Sequence, residues 1–423
     1  MKMPNTRSVA WPLRVSADKR YLEDQNGVPF FVQAETVWNL TTELELPDID
    51  LYMDDMEAKG FNTIYMRIKA GLSGDGYGRE AFLDNDLTKP NEAYFSGIVD
   101  HIVDRALNRD ILIVAVMIWH KNEANTTDGK KGSPLRYSQS DMATYGSFLG
   151  NRYNSKDGRG NVIFVGGGDI LSDRPGNGVD RPKYEALANA LLDVYPEALV
   201  TYHSGNGRSS LDDWGYCSWL KINSLYQRQG PFQWEHARGN WNNYKDVMPI
   251  ILQEGLYETA SRQGWRGTPL NIRKQQWWYL TFGSTGGINY GHERIFGFPP
   301  GWKDSLDAEA RLEMIHIRNF VLDLEWWKRE PDVSGSILMD DGGIGDYKAT
   351  ACRACDGSYT IVYTPNSSDP RVNMSMLSEP AMAKWYNPRT GVYFSATGPY
   401  DNSGIKTFSR PDSDDWVLLL EIV

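Results

Sequence analysis

Asn161-Val-Ile-Phe-Val-Gly-Gly-Gly-Asp169 and Pro249-Ile-Ile-Leu-Gln-Glu254 each carry an apolar run into a single acid. A run apolar at nearly every position is the mark of a strand covered on both faces, as in a parallel sheet under a layer of helices. An acid at the end of such a run is costly to bury unpaired, and in barrels of parallel strands the carboxyl ends of the strands carry the chemistry. Two acids so placed point to hydrolysis of a glycosidic bond, which needs one proton donor and one carboxylate.

Working outward, the same pattern of apolar runs bounded by turn residues recurs at Pro29 to Glu35, Asn62 to Ile68, Ile111 to Ile118, Leu199 to Ser204, Ile222 to Gln227 and Gly286 to His292. With the first two runs this predicts eight strands. Between them lie helical periods: Ile49, Tyr52, Met53 and Met56, with Asp48 as the expected N-cap and Gly60 as the stop; Phe95 to Leu107; and Tyr184 to Leu192. Strand and helix in strict alternation predict an α/β fold, a (β/α)8 TIM barrel. Leu13 to Asp24, turning at Gln25-Asn26-Gly27, predicts a short hairpin near the barrel floor. Beyond the loop Asp340 to Asp346, short runs such as Tyr359 to Tyr363 and Trp416 to Leu420 alternate with turns, which predicts a small β-sandwich. The expected division is residues 1–335 as the catalytic barrel and 336–423 as the sandwich.

Composition narrows the partners. The 423 residues carry a net charge of -11, which argues against nucleic acid, whose phosphates require clustered Lys and Arg. The 15 Trp and 23 Tyr provide flat faces with polar edges that suit sugar rings. Cys217, Cys352 and Cys355 make neither a disulfide framework nor a complete zinc motif, so no metal and no cofactor are expected. No run approaches membrane-spanning length, and the N-terminus lacks the apolar stretch of a signal peptide. A cytoplasmic location is therefore favoured, or a periplasmic or secreted one if a signal has been removed. The expected partner is a carbohydrate or small glycoside, with the oligomeric state left open.

Asp169 closes the fourth strand and Glu254 the seventh, so the two face each other across the predicted barrel mouth. Other strand ends offer groups that hydrogen-bond hydroxyls or stack on rings: Glu35 and Trp38, Arg67, Trp119 and His120, His203, Gln227, Tyr257, Tyr290 and His292. All ten are candidate substrate-binding residues. The structural alternatives are a helix cap for Asp169, a salt-bridged strand end for Glu254 and a core position for Trp38.

Phe30-Phe-Val-Gln-Ala-Glu-Thr-Val-Trp38, Lys59-Gly-Phe-Asn-Thr63, Gly167-Gly-Asp169, Thr201-Tyr-His-Ser204, Glu254 with Tyr257, and Gly286 to His292 together resemble the apiosidase-like family, also called domain of unknown function 4038, which includes glycoside hydrolase family 140. Trp326-Trp327, Trp385-Tyr-Asn-Pro-Arg-Thr-Gly391 and Asp414-Asp-Trp-Val-Leu418 resemble the β-sandwich appended to that family and labelled as collagen-binding. The resemblance implies a retaining exo-glycosidase that releases a terminal apiosyl residue from plant pectic side chains or plant glycosides, with Asp169 as acid/base and Glu254 as nucleophile. The same machinery could act on an arabinofuranoside or galactofuranoside, and a non-catalytic carbohydrate-binding barrel is the further alternative. Ala34-Glu-Thr36 departs from the Gly-Asp-Thr common in relatives, so Glu35 is expected to intrude into the sugar pocket.

Overall fold

The computed structural model describes residues 8–69, 74–119, 127, 135–169, 180–228, 233–262, 265–339, 345–365 and 368–423. Eight parallel strands form the barrel: β1 (Val32–Thr36), β2 (Thr63–Arg67), β3 (Leu112–Val116), β4 (Val162–Gly167), β5 (Val200–His203), β6 (Asn223–Tyr226), β7 (Ile250–Glu254) and β8 (Gly287–His292). Pairing runs β5-β4-β3-β2-β1-β8-β7-β6. The ring closes between β5 and β6, where Lys221 N–H donates to Val200 O at 2.9 Å and the Thr201 and Ser224 hydroxyls meet at 2.8 Å.

Both strand faces are dry, which is why several of the runs are continuous rather than alternating. Val32, Ala34, Tyr65, Val114, Val116, Ile163, Val165 and Ile251 pack with one another in a cluster that contains no helix residue, and so fill the lumen. Phe31, Ile64, Met66, Ile113, Phe164, Leu225 and Leu252 point the other way, into a cluster with the helices. The first expected strand is in fact two. Pro29–Phe30 joins an antiparallel three-stranded sheet with Arg14–Val15 and Leu22–Glu23, and only from Val32 does the chain enter the barrel. Leu13, Leu22 and Phe30 belong to the lumen cluster, so this small sheet plugs the floor as expected.

The barrel helices are α1 (Leu46–Ala58), α2 (Asp100–Leu107), α3 (Gln139–Arg152), α4 (Arg181–Val194), α5 (Ser210–Trp214), α6 (Gln233–Tyr244), α7 (Pro269–Phe282) and α8 (Glu309–Leu322). Helix α1 begins earlier than the expected Asp48 cap. Pro47, whose fixed φ suits the first turn, starts it at Leu46 with Glu45 at the N-cap. It ends as expected at Gly60, whose φ of +82° lets Gly60 N–H reach Glu57 O and Phe61 N–H reach Met56 O.

The C-terminal region is a seven-stranded antiparallel sheet with a two-stranded sheet beside it. Its strand Arg329–Pro331 already pairs with Thr350–Ala354. In β-strands Tyr359–Thr364 and Trp416–Ile422 alternate residues divide cleanly. Val362, Leu418 and Leu420 form the region's own core, whereas Ile361, Tyr363, Val417 and Leu419 join the helix layer of the barrel. Helix α7 lies between the two, and every residue from 272 to 282 is buried. Arg273 pairs with Glu313 of α8 at 2.8 Å and with Asp415 of the C-terminal sheet at 2.9 Å, Trp277 stacks on Tyr363, and the hydroxyls of Thr281 and Thr350 meet at 2.7 Å.

Candidate active site

Strand β4 ends in three successive residues with positive φ, Gly167 (+86°), Gly168 (+150°) and Asp169 (+57°). A Cβ at Gly167 would lie 2.7 Å from His203 O and from the Tyr202 ring, so glycine is required there. The left-handed conformation of Asp169 costs a non-glycine residue about 1 kcal/mol, strain of a kind that concentrates at functional sites. Its result is that Asp169 curls back over β5, with its backbone nitrogen 3.5 Å and its carboxylate 3.9 Å from His203 Nδ1.

Glu254 reaches the same place through a bulge. In simple alternation Leu252 points outward, so Glu254 would too. Between β6 and β7, however, the register shifts: Leu225 pairs with Leu252, but the next residue, Tyr226, pairs with Glu254 and skips Gln253. One extra residue thus turns the Glu254 carboxylate to the lumen, a use to which bulges beside active sites are often put. There Glu254 Oε1 accepts from the Tyr257 hydroxyl at 2.6 Å, and Oε2 lies 2.8 Å from His203 Nε2. Tyr257 in turn accepts from Trp38 Nε1–H at 2.8 Å.

His203 is fully buried between the two acids. Burial works against its charge, but the bond and the charge of Glu254, and the charge of Asp169, hold its pKa above the ordinary imidazole value. Nε2 lies 2.8 Å from the Glu254 carboxylate, and Nδ1 lies 3.0 Å from Ser204 O and 3.5 Å from the Asp169 backbone nitrogen. Burial and the Glu254 charge push the Tyr257 hydroxyl well above its usual range, which keeps it a proton donor. Burial pulls the Arg67 guanidinium down to about 10, against Tyr257, Asp169 and Glu254 nearby. It stays charged at neutral pH. One ligand atom each from Asp169, His203 and Glu254 lie within 4.8 Å of one another. Such a trio has the donors for a metal ion, which would compete with the His203–Glu254 bond for Nε2.

The structure therefore brings together Asp169, Glu254, His203, Tyr257, Trp38, Trp119 and Arg67. The Trp38 and Trp119 rings lie 5.1 Å apart and each packs on His203, while Arg67 sits over Trp119. Gln227 stands at the edge, its backbone N–H bonded to Glu254 O at 2.9 Å. Glu35, Tyr290 and His292 are not brought in. Ala34 and Asn289 face the lumen, so period-two alternation sends these three to the outer face. Glu35 meets Arg311 and the Tyr52 hydroxyl there instead of intruding on a sugar pocket, and Tyr290 donates to Glu258. His120 lies outside the described residues. Sequence reasoning missed Tyr226, whose ring lies 5.1 Å from that of His203, and Arg228, 4.3 Å above the Tyr257 ring and bonded to Glu293 at 2.8 Å. Counting faces from the outward Leu225 would have found Tyr226; the approach of Arg228 to Tyr257 has no local signal.

Residues 16–328 match the family described as "Apiosidase-like, catalytic domain", and residues 331–421 match "Putative collagen-binding domain of a collagenase". No curated protein sequence matches the chain. A crystal structure of a glycoside hydrolase family 5 from Bacteroides vulgatus ATCC 8482 is similar at a TM-score of 0.83 and 24% identity, over 97% of this chain and 93% of that one. A second solved structure, named "Glycoside hydrolase", has a TM-score of 0.83 and 23% identity over 98% and 99% of the two chains. At these identities the likeness is one of fold.

Proposed function

Because the chain belongs to the apiosidase-like family and is a glycoside hydrolase, we propose that it removes a terminal apiosyl, or similar furanosyl, residue from plant pectic side chains or plant glycosides with retention of configuration. One observation carries the mechanism: carboxylate oxygens of Asp169 and Glu254 lie within 4.8 Å of each other. That spacing supports direct attack on the sugar, for which carboxyl groups stand about 5 to 5.5 Å apart, over inversion, which leaves about 6.5 to 9.5 Å for a water molecule. Asp169, 13% exposed against 3% for Glu254, is the acid that protonates the departing oxygen and later takes a proton from water. Glu254, oriented by His203 and Tyr257, attacks the anomeric carbon. The bond to the leaving oxygen breaks as that oxygen receives the Asp169 proton, and water then displaces the sugar from Glu254.

Nothing in the Trp38 and Trp119 pair chooses among pentoses and hexoses, so arabinofuranosides and galactofuranosides belong in the same test. A panel of nitrophenyl furanosides and apiosylated phenolics identifies the sugar, and proton NMR of the first-formed product identifies its anomer. Inverted product would remove the nucleophile role from Glu254. Binding of the whole panel without release of product would favour a carbohydrate-binding barrel instead. Among the described residues no helix is long and apolar enough to cross a membrane. The division into a catalytic barrel and an appended sandwich near residue 335 is part of this reading.

A further inference from the structure

Helix α7 presents two consecutive glutamines to the barrel, and both are completely buried. A buried amide must find partners, and these find them on the backbones of the strand ends that make the site. Gln275 Oε1 accepts from Leu256 N–H at 2.7 Å, two residues after Glu254, and Gln275 Nε2 donates to Gln227 O at 2.8 Å, just past β6. Gln276 Nε2 donates to Asn289 O in β8 at 2.9 Å. Gly255, between Glu254 and Leu256, lies directly against this bracket. A Cβ there would lie 2.3 Å from the Gln275 amide oxygen and overlap it.

We propose that Gln275 is a positioning residue for catalysis: its amide ties the ends of β6 and β7 together and so fixes the Glu254-Gly255-Leu256-Tyr257 segment that carries the nucleophile and its hydroxyl donor. Three features join in this. The bulge at Gln253 leaves β7 locally without regular pairing at the point where Glu254 must be aimed, so something other than the sheet has to set its direction. The amide supplies two backbone bonds there, beside the direct bond from Gln227 N–H to Glu254 O. The helix bearing the amide is itself clamped from behind, through Arg273 to Asp415, Trp277 to Tyr363 and Thr281 to Thr350. The C-terminal sheet thereby acts as the base from which the bracket reaches the site. Supports of this kind matter because a nucleophile displaced by about 1 Å can lose about 100-fold in rate.

This inference rests on the assignment of Glu254 as nucleophile. Its test is steady-state kinetics on 4-nitrophenyl apiofuranoside, or on whichever nitrophenyl furanoside the wild-type chain cleaves, below the melting temperature of each variant. Gln275→Leu keeps the volume and removes both bonds. Gly255→Ala keeps the amide and displaces it. Each is expected to lower kcat about 10- to 100-fold with KM within about threefold, because the sugar-contacting groups on other strands are untouched. The double variant should be no worse than the poorer single, since both act through one contact. A merely structural role would lower the melting temperature and leave turnover per folded molecule unchanged. Wild-type kcat in either single variant, or losses that multiply in the double, would overturn the proposal. If Gln275→Leu fails to fold, Gly255→Ala alone decides it. Glu254→Ala run alongside separates the two failures: if it remains active the nucleophile assignment falls, whereas an inactive Glu254→Ala with fully active Gln275→Leu and Gly255→Ala removes the bracket alone.

Discussion

Glu254 and Glu35 are the same residue type near the carboxyl ends of barrel strands, and both are dry, yet they are held by opposite means. Glu35, on the outer face of β1, receives two bonds from Arg311, at 2.7 and 2.9 Å, and one from the Tyr52 hydroxyl at 2.8 Å. Glu254, on the inner face of β7, has a histidine and a tyrosine. Arg311 is a fixed cation in a fork that matches a carboxylate, so Glu35 is neutralised once and for all. Glu254 is held by a histidine whose charge can be gained or lost and by a neutral hydroxyl donor, not by a permanent cation. The contrast separates an acid that holds a helix to a sheet from the one proposed as the nucleophile.

The largest expected effect is on turnover. Glu254→Ala should abolish kcat by several orders of magnitude, and Asp169→Ala by about 10²- to 10⁴-fold, with melting temperatures nearly unchanged in thermal scans. Either variant with wild-type turnover on a good substrate would sink its assignment. Arg311→Met should do the reverse, costing about 3 to 5 kcal/mol of stability in urea titrations by leaving Glu35 buried and unpaired, with turnover of the folded fraction intact. Adding Glu35→Gln to it should recover part of that loss. Were Arg311→Met to lose turnover as Glu254→Ala does, the contrast between inner and outer faces would collapse. Tyr257→Phe should cost about 1 to 3 kcal/mol of transition-state stabilisation, or roughly 5- to 150-fold in kcat/KM, because one oxygen of Glu254 and the Trp38 N–H lose a partner together.

The smallest effect concerns a third acid. Burial, against the opposing pull of Arg273, raises the Glu313 carboxyl to about 7. Its folded value lies above the ordinary carboxylate range, so the folded chain binds the extra proton and stability declines as pH rises from about 4.5 to about 7. Glu313→Gln should flatten that part of the melting-temperature profile. An unchanged slope would show that the Arg273 cluster carries no titrating member.

Much of this was legible in the residues. Several of the eight runs are continuous because both faces are dry, and Gly166-Gly-Gly-Asp169 marks a glycine-rich turn. Strand ends alone, however, do not say which face a side chain takes. Counting from Ala34 separates Glu35 from the site, but the same count would have excluded Glu254, because the bulge at Gln253 leaves no mark in composition. The partner of Glu35 is 276 residues away, and that of Arg273 on the C-terminal sheet 142 away; pairings so distant arise from packing, which no local pattern encodes.

Helix α7 has no side turned to water, which makes the sandwich part of the barrel's own insulation. Heat should therefore find one calorimetric transition where two domains would suggest two, because neither half can melt while the other keeps Trp277 and Trp278 dry. A chain cut after residue 335 would bare that helix, and its expected fate is aggregation rather than a smaller working barrel.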